Sequence, residues 1–124
     1  MAGPRPSAEA VLIQLYTSGT TGRPKGCLLS QRNWVAAATS FANAYDINAN
    51  DVVLTALPLF HVAALSWTLS TLLSGGTVVL PERFAVEGFW DLVTRHGVTV
   101  VAAPFGVRPA LKHPAPPVRR ARCA

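Results

Sequence analysis

Residues 16–26 read YTSGTTGRPKG, and this run limits what the chain can become. Five of its eleven residues are Gly, Ser or Lys and four more are Thr or Pro, so it has little apolar surface to bury. An apolar run, residues 10–16 (AVLIQLY), precedes it, and Cys27-Leu28-Leu29 follows. A polar, glycine-rich loop between apolar segments is where α/β proteins hold phosphate. Gly19, Gly22 and Gly26 free the backbone to approach an anion. Thr17, Ser18, Thr20 and Thr21 bring four hydroxyls, and Lys25 brings a compact positive charge. Pro24 stiffens the approach to Lys25. By composition alone, a surface loop of turn-forming residues accounts for the run equally well.

Two common nucleotide fingerprints fail on spacing. Counted from Gly19, the sixth position is Pro24 where a Walker A loop needs Gly, and Lys25 is followed by Gly26 rather than Ser or Thr. No G-x-G-x-x-G run occurs.

Around the loop, apolar runs alternate with helical patterns. Residues 10–16 suit a strand covered on both faces. Ser30 is a plausible N-cap for a helix over 31–44, with Val35, Ala38, Phe41, Ala42 and Tyr45 as its buried stripe. Residues 46–51 (DINAND) are turn-like. A strand over 52–56 ends before Pro58. A helix over 61–74, apolar on nearly all sides and so expected to be buried, stops at Gly75-Gly76. A strand over 77–80, an amphipathic helix over 86–96 ended by Gly97, and a strand over 98–103 follow. Phe89, Leu92, Val93 and His96 share one side of that last helix. Strands alternating with helices predict an α/β fold: a mainly parallel sheet with flanking helices and right-handed crossovers.

Composition excludes several classes. Half of the 124 residues are hydrophobic and 14% are charged, which is a globular composition with room for one domain at most. The net charge of +5 lies wholly after Pro104, since Lys/Arg and Asp/Glu balance up to that point. A neutral body argues against a nucleic-acid binder. Cys27 and Cys123 give neither a disulfide framework nor zinc spacing, so a reduced cytoplasmic setting is expected, with Cys27 a buried, inert thiol. No signal peptide is visible in residues 1–10. Residues 52–73 carry no formal charge, but Pro58 and His61 interrupt them; a buried strand and helix are expected rather than a transmembrane segment. Trp34, Trp67 and Trp90 read as helix packing rather than as surfaces on which a base stacks.

From residue 105 the character changes: prolines and arginines accumulate, without acids or a sustained period. Two readings stay open, a disordered basic tail or a shifted reading frame. The Arg119-Arg120-x-Arg122 cluster reads as solvated.

The YTSGTTGRPKG run resembles, at all eleven positions, the signature loop of the adenylate-forming (AMP-binding) superfamily, most closely its acyl-CoA synthetases. Leu57-Pro58-Leu59-Phe60-His61 resembles the family's P-L-F-H segment. LLSQRNW resembles its helix start, with Gln31 where His is frequent. GGTVVL and FAVEGFWDLVTRHGVT fit the strand–helix–strand that follows. The resemblance covers residues 10–104. It implies that Thr17, Ser18, Gly19, Thr20, Thr21, Gly22 and Lys25 hold the β- and γ-phosphates of ATP, with Mg2+ on the departing pyrophosphate. It implies that His61 lies between nucleotide and acyl pocket, where alone it would read as a corner residue capping backbone groups. Ala63 matches a position that can line the acyl pocket, and Ala64 stands where Gly is common. No catalytic residue is assigned with certainty, and no metal ligand.

The implied reaction joins a carboxylic acid to ATP as acyl-adenylate, then passes the acyl group to a thiol, usually of coenzyme A. The family's aromatic-Gly-x-Thr-Glu and Thr-Gly-Asp runs do not occur, nor does its small C-terminal domain with the catalytic lysine. The chain therefore reads as a lead-in (1–9), a partial AMP-binding domain (10–104) and a basic Pro/Arg-rich tail (105–124). It is expected to be a fragment of an acid–CoA ligase, missing the remainder of the enzyme and without adenylation activity alone. The alternative is a non-catalytic phosphate-binding or regulatory remnant of such an enzyme.

Overall fold

The computed structural model describes residues 5–19, 22–103, 107–112 and 122–123. They belong to two compact units, Met1–Ala37 and Ala38–Ala124.

The first unit is built on a β-hairpin. Strand β1 (Val11–Thr17) pairs antiparallel with β2 (Lys25–Ser30), from Val11 opposite Ser30 to Thr17 opposite Lys25, with an irregularity between Val11 and Ile13. The expectation of a first strand covered on both faces is thereby corrected. Its only ladder partner among the described residues is β2, and Tyr16 is 69% exposed. Strand alternation puts Leu12, Gln14, Tyr16 and Leu28 on an exposed face. Ile13, Leu15 and Leu29 lie half-buried on the other face. Cys27 shares that second face, opposite Leu15, yet it is exposed rather than buried as expected, because a two-stranded sheet covers little of its middle.

Helix α1 (Gln31–Ala44) begins where the hairpin ends. The Asn33 N–H donates to Ser30 Oγ (3.3 Å), while the Ser30 N–H donates to Asn33 Oδ1 (3.1 Å), a reciprocal cap that fixes the helix start. The backbone N–H groups of Gln31 and Arg32 reach back to the carbonyls of Ala10 and Ala8, and Arg32 pairs with Glu9. The buried stripe runs through Trp34, Ala38 and Ala42; Val35 and Tyr45, expected in it, are exposed. Trp34 takes the inward position one residue before Val35, with the larger surface to hide.

The second unit is a parallel sheet in the order β4-β3-β5-β6, formed by Thr77–Val79, Val52–Thr55, Val100–Ala102 and Arg122–Cys123. Helix α2 (Val62–Leu73) connects β3 to β4, and α3 (Phe89–His96) connects β4 to β5. Consecutive side chains of β3 serve opposite faces. Val53 packs with Val100, Ala102, Ala42, Ile47 and Trp67. Leu54 packs with Val101, Phe89, Val93, Val98 and Ala110. So the sheet is covered on both sides, and the α/β architecture with a mainly parallel sheet holds.

Two helices depart from expectation. Val62, Leu72 and Leu73 of α2 are each at least half exposed, so it buries one side only, through Ala64, Trp67, Ser70 and Thr71. Helix α3 starts at Phe89 rather than at residue 86, because Gly88 turns left-handed (φ 81°) immediately before it. It buries Phe89 and Val93, whereas His96 is exposed and Leu92 half-buried. Trp90 Nε1 donates to the Ala110 carbonyl (3.0 Å), and Val107 and Ala110 join the Leu54 cluster, so these two residues tie the segment 107–112 to the core. Residues 113–120, with Arg119 and Arg120, lie outside the described residues.

One buried carboxylate ties the amino ends of the strands together. Asp51 Oδ2 accepts from Asn48 N–H and Asn48 Nδ2 (both 3.0 Å), and its Oδ1 accepts from the Thr99 hydroxyl (2.8 Å). The Asp51 carbonyl accepts from Thr77 N–H (2.9 Å) at the start of β4. Gly76 completes the join: a Cβ there would lie 2.9 Å from the Asp51 carbonyl oxygen and 3.1 Å from that of Asn48. No helix among the described residues is long and apolar enough to cross a membrane.

Candidate functional site

In the first unit, the ladder runs right up to the glycine-rich loop. Its last pair sets Thr17 opposite Lys25, and directly opposed residues of an antiparallel pair share a face. Thr17, which carries a hydroxyl, and Lys25, which carries an ammonium, therefore share one face at the mouth of the loop, both exposed. Gly19 and Gly22 adopt φ of 63° and 81°, and the Gly22 N–H turns back toward the Gly19 carbonyl (3.4 Å). At Gly19 the backbone packs against the carbonyl of Arg23, where a Cβ would come within 2.2 Å of that oxygen. The loop is thus folded onto itself, and the closure depends on glycine at position 19. Ser18 is exposed; Thr20 and Thr21 lie outside the described residues. Behind the loop, Gln14 Nε2 donates to the Tyr16 hydroxyl (2.9 Å), and the Gln14 side chain lies over the bare Cα of Gly26.

In the second unit, the chain leaves β3 toward β4 on one side and returns to β5 on the other. The carboxyl ends of β3 and β5 are therefore the switch point of the sheet, the place where open α/β sheets take ligands. The Ala56 N–H donates to the Ala102 carbonyl (2.8 Å) just past β3, and residues 57–61 follow. His61 is the N-cap of α2, with φ −90° and ψ 134°. Its Nδ1 accepts from Ala63 N–H (3.2 Å), which places the proton of the neutral ring on Nε2. His61 is exposed, so Nε2–H is free to donate to a ligand, and Ala63 is half-buried beside it. His61 therefore does cap backbone, and the capping leaves its other nitrogen available.

The expected residues thus fall into two sets, Thr17–Lys25 in one unit and His61 with Ala63 in the other. Sequence reasoning passed over two further residues. Arg23 is an exposed second cation in the loop; its signal was that no acid occurs between Glu9 and Asp46. Thr55, at the carboxyl end of β3, buries its hydroxyl without a hydrogen-bond partner among the described residues, which a pattern of apolar residues does not reveal. Two surface concavities, of about 220 and 460 Å³, are lined by Val86, Glu87, Gly88, Trp90 and Asp91 and by Arg108, Pro109, Leu111 and Lys112, and include none of the expected residues. Among the described residues, no group of three or more His, Cys, Asp or Glu could hold a metal ion.

A glycine-closed loop with Thr17 opposite Lys25 at its mouth, and an α/β switch point in the same chain, are features that recur in proteins that bind nucleotides. The family model for AMP-binding enzymes matches residues 1–122, and the chain belongs to that family. It is 47% identical over 97 residues to a sulfoacetate–CoA ligase of Cupriavidus necator, covering 77% of this chain and 19% of that protein. It is 41% identical over 95 residues to a 2-succinylbenzoate–CoA ligase of Bacillus subtilis, covering 77% of this chain and 20% of that one. The chain thus spans about a fifth of the length of these relatives. Among solved structures, it matches the O-succinylbenzoate coenzyme A synthetase of Bacillus subtilis in complex with AMP (TM-score 0.78, 37% identity, 90% of this chain and 29% of that one). It also matches that enzyme in complex with ATP and magnesium ion (TM-score 0.75, 38% identity, 85% and 22%).

Proposed function

We propose that this chain supplies the pyrophosphate-gripping part of an ATP-dependent, AMP-forming acid–CoA ligase. The observation that carries the reading is the loop mouth: Thr17 and Lys25 paired across the last rung of the hairpin, with Gly19 folded against Arg23. A carboxylate attacking the α-phosphate releases pyrophosphate, so negative charge develops on the β- and γ-phosphates during that step. Thr17 and Ser18 hydroxyls, with backbone N–H groups of the loop, donate to those oxygens, and Lys25 stabilises their charge without forming a bond to them. The residues of this site suit phosphate oxygens and do not amount to a metal-binding set; Mg2+ bound with the nucleotide would supply further neutralisation there. Thr20, Thr21 and Gly22 complete the phosphate contacts in this reading. His61 would present Nε2–H between nucleotide and acyl group, with Ala63 leaving room for the acid. Coenzyme A is the proposed thiol, in a reduced cytoplasmic setting.

Titration calorimetry of the 124-residue chain with ATP, wild type against Lys25→Ala, tests the grip. Binding that weakens at least about tenfold in the variant supports it, since a charge-assisted contact is lost. Equal binding refutes it. Pyrophosphate exchange measured with a panel of carboxylic acids separates the two functional forms: ATP- and acid-dependent exchange marks a ligase acting alone, and binding without exchange marks a phosphate-binding module.

A further inference from the structure

We propose that Arg23 is a second phosphate-binding cation of the loop, acting with Lys25 on the same pyrophosphate group; this rests on the reading just given.

Three observations support it. The first is charge. Between Glu9 and Asp46 the sequence contains Arg23, Lys25 and Arg32 but no acid. Arg32 is already engaged by Glu9, through Arg32 Nη2 and Glu9 Oε1. Arg23 and Lys25 are exposed, and no carboxylate among the described residues pairs with either. Two like charges held two residues apart with nothing to neutralise them repel each other, and that repulsion is relieved when a multivalent anion sits between them.

The second is placement. Lys25 is fixed by its ladder position opposite Thr17. Arg23 is fixed from the other side, because its carbonyl packs on the bare Cα of Gly19. Pro24 lies between them, and a residue before proline is kept out of the helical backbone region. The loop closure that needs glycine at position 19 therefore anchors the Arg23 backbone two residues from Lys25, at the mouth of the same loop.

The third is chemistry. A guanidinium presents a planar fork of donors that suits two phosphate oxygens at once, whereas an ammonium acts as a point charge. The pair suits a group carrying two adjacent phosphates. It offers less to AMP, which has one. Arg23 would thus favour ATP and pyrophosphate over AMP and lower the charge on the leaving group.

The test uses the whole chain and inorganic pyrophosphate, with AMP as comparison, by titration calorimetry at two ionic strengths. Arg23→Ala is expected to weaken pyrophosphate binding about tenfold, with AMP binding nearly unchanged. Arg23→Lys is expected to recover part of the loss. Added salt should erode binding less steeply in Arg23→Ala than in wild type, since one fewer charge is engaged. Arg32→Gln, which removes an exposed cation already paired with Glu9, should leave binding as it is. The proposal is overturned if Arg23→Ala binds pyrophosphate like wild type while Lys25→Ala does not; the grip then stands without Arg23. It is also overturned if Arg32→Gln weakens binding as much as Arg23→Ala, because the effect is then diffuse charge. Absence of pyrophosphate binding in the wild type itself overturns the functional reading and this inference with it.

Discussion

Gly19 offers the sharpest way to separate loop shape from loop chemistry, because Gly22 stands three residues away as its control. Both are left-handed, at φ 63° and 81°. Alanine in that region costs about 1–2 kcal/mol at either position. The two differ in what a new Cβ meets. At Gly22 no atom of the described residues lies within 4 Å, so the conformational cost is the whole cost these residues impose. At Gly19 the Cβ would come within 2.2 Å of the Arg23 carbonyl oxygen and 3.3 Å of its carbon. Those are backbone atoms, and no side-chain rotation relieves the overlap. The oxygen has to move by roughly 1 Å to reach ordinary contact distance, which opens the loop.

If only the closed loop binds phosphate, apparent affinity falls with the fraction of chains that have it closed. Gly22→Ala should then weaken pyrophosphate binding about 5- to 30-fold, matching its conformational cost. Gly19→Ala should lose at least another factor of about ten. Calorimetry reads the affinities, and far-ultraviolet circular dichroism checks that the sheet and helices of the second unit persist. Equal losses in the two variants would mean that closure of Gly19 on Arg23 is irrelevant to binding. Full binding by Gly19→Ala would refute the closed loop as the binding form.

Two further perturbations address the second unit. Asp51→Ala removes the acceptor of two Asn48 donors and the Thr99 hydroxyl in a buried setting, and should cost about 2–4 kcal/mol, read as a lower urea midpoint. His61→Ala should destabilise the start of α2 by about 1 kcal/mol, while His61→Asn, which can still cap, should restore that stability without restoring an imidazole donor; thermal unfolding measures both.

The parts of the fold that were legible in the sequence are those set by local chemistry. Helix α1 occupies residues 31–44 as expected, because Ser30 caps it and its apolar positions repeat at helical spacing. Strands β3 and β4 lie within a residue of their expected ends, marked by β-branched runs before Pro58 and Pro81. The hairpin was hidden because KGCLLS has no alternation, and its partner lies across a loop longer than the tight turns that announce hairpins. Asp51 looked like one more turn residue; its partner Thr99 is far along the chain, and nothing local signals such a contact. At the candidate site, composition pointed to the donors of residues 17–25, but their pairing needs the register. That Thr17 faces Lys25, and that Gly19 seats the Arg23 carbonyl, follows only once β1 and β2 are aligned.

The hairpin that carries the loop has one face open to water, with Leu12, Tyr16 and Leu28 exposed on it. Two strands alone are marginally stable in water. Under the proposed function, occupancy of the loop and persistence of the hairpin become a single equilibrium. An anion that binds only the closed loop adds about 2.7 kcal/mol to the hairpin when present at about a hundred times its Kd. The ligand would then act as a structural component of the element that grips it, and release of pyrophosphate would return that element to its least stable state.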